Sequence, residues 1–138
     1  MMLEALQDAF GNAIESAERV GRELRVRFPA ALLLTVCQKC KDQGYSYLHD
    51  ITAVDTGTQL RLVYHLISLA SGDHLVLSVP VPRTGGRVAS LTGLYCAADW
   101  AEREVYDLFG VRFEGHPNLR RILLDDDWQG HPLLKQTG

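Results

Sequence analysis

Glu102, Arg103, Glu104 and Asp107 fall within one short run of this 138-residue chain, with His116 and the pair Arg120-Arg121 downstream. Two glutamates, an aspartate and a histidine are a donor set that suits a divalent metal and hydrolytic chemistry. The same carboxylates beside Arg103, Arg120 and Arg121 suit an ion network or a contact with a partner equally well. Val105, Leu108 and Phe109 stand at i, i+3, i+4 spacing among them, so the charges border a stripe that faces a core. Arg103 and Asp107, at i, i+4, are placed to pair, worth only about 0.3–0.5 kcal/mol on an exposed surface. A guanidinium from Arg120 or Arg121, folding back onto Glu102 or Glu104 in a drier seam, would count for more.

The other candidate clusters point to little chemistry. Cys37-x-x-Cys40 lies inside an expected helix rather than at a helix start, and no second cysteine or histidine pair completes a zinc site. With Cys96 the chain has three cysteines, fewer than the four that an iron–sulfur cluster generally takes. His65 sits within an apolar strand, whereas His116-Pro117 and His131-Pro132 are loop signals, read as loop-fixing or partner-facing. Asp125-Asp126-Asp127 lacks the alternating oxygen spacing of a calcium loop. Gly85-Gly86 and Gly93 form no phosphate-binding fingerprint, and no Gly-x-Ser-x-Gly nucleophile pattern is present.

The elements that must position these residues follow from periodicity. Leu3 to Phe10 reads as a short helix closed by Gly11-Asn12. Ser16–Val20 and Leu24–Phe28 read as the arms of a hairpin turning at Gly21. Pro29 opens a second helix from Ala30 to Gln43, stopped by Gly44. Tyr45 to Val54, Gln59 to Leu69 and His74 to Val81 are β-branched and aromatic runs separated by turn residues, which predicts a meander. A short turn near Ser90 to Leu94 leads to the main helix, about Ala98 to Phe109, with Gly110 as its stop. This order predicts an α+β domain of two layers, a single mixed sheet of about five strands with helices mainly on one face. The boundaries are 1–114 for that domain and 115–138 for an irregular C-terminal segment, whose length without regular structure suggests partner docking.

Composition narrows the classes further. An apolar share of 46% with 22% charged residues is that of a globular domain, and no apolar run approaches the ~18–20 residues of a transmembrane helix. A net charge of −3 and a pI near 5.9 argue against a nucleic-acid partner. Met1-Met2-Leu3-Glu4 has no basic, then apolar, leader pattern, so the chain is expected in the cytoplasm.

The run from Glu102 also resembles a family signature. Glu102, Arg103, Glu104, Asp107, Leu108, Phe109, His116 and Arg120 match, position for position, that of the 30-kilodalton subunit family of proton-translocating NADH:quinone oxidoreductase, respiratory complex I. Leu48-His49-Asp50-Ile51-Thr52-Ala53-Val54-Asp55 is similar to an earlier family segment, and Gly130-His131-Pro132-Leu133 to its close. Coverage runs from about Pro29 to Leu134. Family members commonly continue with Arg-Lys-Asp-Phe-Pro, where this sequence reads Leu134-Lys135-Gln136-Thr137-Gly138.

The resemblance implies an α+β subunit of the peripheral arm, on the cytoplasmic side of the cell membrane, without a catalytic centre or cofactor of its own. NADH, flavin, iron–sulfur clusters and quinone are then expected in partner subunits. The partners implied are the large hydrogenase-like subunit of the quinone module and other peripheral-arm subunits. Glu102, Arg103, Glu104, Asp107, His116, Arg120, Arg121 and His131 become structural or partner-contact residues. An equivalent subunit of a membrane-bound hydrogenase or related dehydrogenase complex is the alternative within the family. A stand-alone metal hydrolase on Glu102, Glu104, Asp107 and His116 is the alternative outside it.

Overall fold

A computed structural model describes residues 2–120. The chain opens with helix α1, Met2–Phe10, which buries Met2 and Leu6, and continues into a hairpin of β1, Ser16–Val20, and β2, Glu23–Arg27. Pro29 is extended, at φ −66° and ψ 144°, and the expected second helix starts as a 3-10 turn, Ala30–Leu32, before α2, Leu33–Asp42. The meander follows as β3, Tyr47–Asp55, β4, Leu60–Ile67, and β5, His74–Val81, each antiparallel to the next.

The five-stranded sheet has the order β1-β2-β5-β4-β3 and is mixed, because β2 runs parallel to β5 with Leu24 opposite Leu75. Alternation along the strands decides its two faces. On β4, Leu60, Leu62, Tyr64 and Leu66 are fully buried, while Arg61, Val63, His65 and Ile67 on the opposite face are only part-buried. A register shift between Leu48 and Asp50 lets both Leu48 and Ile51 reach the core from β3. The helices supply the other half of that core through Leu33, Val36, Cys37, Cys40 and Val105. The expected two-layer α+β fold is thus present.

A second, smaller sheet extends the expected single one. Strands β6, Arg87–Ala89, and β7, Arg112–Glu114, pair in parallel, with the main helix α3, Ala98–Phe109, as the crossover between them. Parallel partners require such a crossover. Three residues per strand are too few to set alternation apart from chance, which is why sequence periodicity does not announce them. Gly86 leads into β6 where a Cβ would lie 2.6 Å from the Pro82 carbonyl oxygen, so only glycine fits. No helix among the described residues is long and apolar enough to cross a membrane.

Candidate functional site: the α3 signature and its surroundings

The signature run occupies α3 and the chain that returns from it. Gly110 ends the helix at φ 82°, and its N–H donates to the Tyr106 carbonyl at 2.9 Å. That left-handed residue costs glycine little and turns the chain directly into β7. Val105 and Phe109 face the core as their spacing predicts.

Glu102 is wholly buried, and its two carboxylate oxygens are held from the segment just after β6. The Ser90 hydroxyl donates to one at 2.6 Å, and the Leu91 backbone N–H donates to the other at 2.7 Å. Burial pushes the Glu102 carboxyl above its ordinary pKa; these two donors, then His116, pull the other way, and Asp99 adds to the rise. Among the described residues no arginine satisfies this carboxylate, which corrects the expected folding back of Arg120 onto Glu102; Arg121 lies outside them. Two local donors already occupy its oxygens.

The loop after β7 does return to α3, by other atoms. His116 Nε2 lies 3.0 Å from the Asp99 carbonyl oxygen and 3.2 Å from Asp99 Oδ1, and its side chain is fully enclosed. Its Nδ1 accepts the Asn118 backbone N–H at 2.9 Å. An Nδ1 that accepts must carry no proton, so Nε2 is the donor toward Asp99. The Arg103 Nε–H points at the Arg120 carbonyl at 3.4 Å, and the Arg103 guanidinium stands 5.8 Å from the centre of the exposed Trp100 ring. Arg120 therefore meets α3 through its backbone, with the residue itself exposed.

Asp107 is buried and Glu104 exposed, one of the residues lining a small groove of about 200 Å³ between α3 and β3 with Ile51 and Leu108. Glu102, Glu104, Asp107 and His116 do not converge: among the described residues no three His, Cys, Asp or Glu side chains gather as metal ligands. The metal-hydrolase alternative loses its donor set on that geometry. Arg121, Asp125-Asp126-Asp127, His131 and most of the segment 115–138 lie outside the described residues.

The cysteines Cys37 and Cys40 face the core from α2. Burial pushes the Cys40 thiol up to about 12 and the Cys37 thiol well above its usual range, with Cys40 and Glu102 adding to the latter. Both are therefore thiols rather than thiolates, the state least suited to nucleophilic attack. Tyr64, also wholly buried, has its hydroxyl pushed upward by burial first and then by Glu102 and Cys37.

Sequence reasoning missed two further contacts. One is the Ser90–Leu91 cradle, whose only trace in sequence is a hydroxyl residue in a turn. The other is a two-pronged ion pair in which Arg83 Nε and Nη2 donate to Asp55 Oδ1 and Oδ2 at 2.9 and 3.0 Å. Asp55 reads from sequence as a turn residue, yet it ends β3 and is 6% exposed.

A five-stranded mixed sheet and a small parallel pair, with the crossover helix of that pair burying Glu102 against the core and His116 closing the loop behind it, define the domain class. The chain belongs to the family described as respiratory-chain NADH dehydrogenase, 30 Kd subunit, which matches residues 26–137. The C subunit of the NADH-quinone oxidoreductase of Citrifermentans bemidjiense is 39% identical over 134 residues, covering 94% of this chain and 83% of that one. The protein of the same name from Moorella thermoacetica is 40% identical over 136 residues, covering 90% and 92%. Among solved structures, a trypsin-resistant fragment of Nqo5 superimposes with a TM-score of 0.74 at 33% identity, covering 86% of this chain and 100% of the fragment. A chain of a membrane-bound sulfane sulfur reductase, an archaeal respiratory membrane complex, does so with a TM-score of 0.79 at 32% identity, covering 91% and 75%.

Proposed function

We propose that this chain is a non-redox subunit of the peripheral arm of a proton-translocating NADH:quinone oxidoreductase. It docks on the large hydrogenase-like subunit and holds the quinone-reducing module in register, on the cytoplasmic side of the membrane. NADH, flavin, iron–sulfur clusters and quinone belong to its partners. The observation that carries this reading is Glu102. The signature's first acid is fully buried and spent on Ser90 and Leu91, so it stiffens a scaffold and faces no substrate. A positional role is energetically sufficient, because a displacement of about 1 Å at reacting centres costs on the order of 100-fold in rate.

The test is purification of the affinity-tagged chain from its own cell. The expected result is a co-purifying set of subunits with NADH:quinone activity, and loss of that activity on deletion of the gene with restoration by the wild-type chain. A chain that purifies alone, or with a complex lacking NADH:quinone activity, overturns the reading.

A further inference from the structure

The face of the large sheet turned away from the core carries a shallow groove of about 580 Å³ with an uneven charge. Three of the residues lining it are arginines, Arg25, Arg27 and Arg61, and none is acidic, in a chain whose net charge is −3. Between them stand Val54, Val63 and Val76, of which Val54 is 53% exposed. Arg25 is engaged by Glu23 and Arg61 donates to the Ser78 hydroxyl at 2.8 Å. Arg27 and Arg61 have no carboxylate partner among the described residues. The same face carries Glu18 and Glu23 beside Arg25, and Asp50 beside His65, so the unmatched positive charge is concentrated in the groove at Arg27 and Arg61.

We propose that this face docks a segment of a neighbouring subunit that carries carboxylates flanking short aliphatic side chains. The proposal rests on the assembly reading above and deepens it by assigning the surface. Guanidiniums on a half-dry sheet gain most from carboxylates, which match their fork geometry, and the flush valines offer an apolar floor between them. A second copy fits poorly, since two-fold pairing centred on the groove sets arginines against arginines. A single-stranded nucleic acid would want stacking aromatics, which this groove lacks.

Two measurements on the full complex test it. A photo-crosslinking amino acid in place of Thr52, an exposed residue of the same face, is expected to link to an acidic stretch of a neighbouring subunit. The pair Arg27→Glu with Arg61→Glu is expected to lower recovery of the chain with the complex roughly tenfold, while Arg27→Lys with Arg61→Lys retains most of it and the thermal midpoint of the isolated chain hardly moves. If charge reversal unfolds the chain, the crosslink alone decides. Wild-type recovery of the charge-reversed chain, or crosslinks only to a second copy, to lipid or to nothing while the wild-type chain co-purifies, overturns the docking face and leaves the assembly reading standing. Failure of the wild-type chain to co-purify overturns both.

Discussion

Asp55 and Arg83 are joined through both oxygens and both facing nitrogens, at the point where β3 ends and the chain leaves β5. The Asp55 carboxylate also accepts the Gly57 N–H at 2.9 Å, so one acid fixes the turn that follows it and the distant segment beside it. Asp55→Asn keeps the shape and removes the charge, leaving Arg83 facing an amide. Its thermal midpoint should fall by about 5–10 °C, and Arg83→Lys should recover little because a single ammonium cannot span both oxygens. An unchanged midpoint in both variants would show the pair to be ornamental.

Glu102 gives a pH signature. With its folded pKa raised above the ordinary 4.5, the folded protein holds this proton more tightly than the unfolded chain. The stability it contributes is fully present below the unfolded pKa and is lost as pH rises through the raised folded value. Glu102→Gln keeps an acceptor for Leu91 and removes the titration. The stability of wild type minus that of the variant, from urea unfolding at a series of pH values, should decline across this window and then level. Glu102→Ala, which removes both hydrogen bonds and leaves a hole, should cost about 2–4 kcal/mol.

The imidazole of His116 should carry its proton on Nε2, because Nδ1 accepts from Asn118. Long-range ¹H–¹⁵N correlation spectra report the tautomer directly, and a proton on Nδ1 would contradict the geometry. His116→Ala should cost about 1–2 kcal/mol and accelerate amide exchange at Asn118.

The three thiols should separate by reactivity. Cys96 is exposed whereas Cys37 and Cys40 are buried, so iodoacetamide on the folded protein should label Cys96 alone, with the other two reacting only in denaturant. Labelling of Cys40 at a rate near that of Cys96 would mean that α2 opens readily.

Tyr64 tests the interior. Its hydroxyl is buried without a hydrogen-bond partner among the described residues, and such a group costs about 1–3 kcal/mol. Tyr64→Phe should therefore be neutral or stabilising by up to about 1 kcal/mol in urea unfolding; a clear loss would reveal a partner for the hydroxyl.

The legibility of this chain follows the length of its elements. The Val105, Leu108 and Phe109 spacing and Gly110 place α3, and the alternation of β4 separates its two faces from the residue types alone. The β6–β7 pair is hidden because three residues span little more than one strand period of two, too few to distinguish alternation from chance. The site is half legible in the same sense. That Glu102 lies at a buried seam can be read from its apolar neighbours, but not that Ser90 and Leu91 hold it, since that contact depends on how a crossover closes. Charge complementarity favours an arginine for the carboxylate, and a hydroxyl and a backbone N–H already in place win instead.

The rim of the sheet at β1 bears on the protein's life before assembly. Glu18 and Arg19 are exposed at the centre of this five-residue edge strand, pointing to opposite sides of the sheet. A stray strand adding there would have to desolvate a charge whichever way it approached. The β1 edge thus works as a guard against fibrous self-addition during the interval in which a newly made subunit waits for its neighbours.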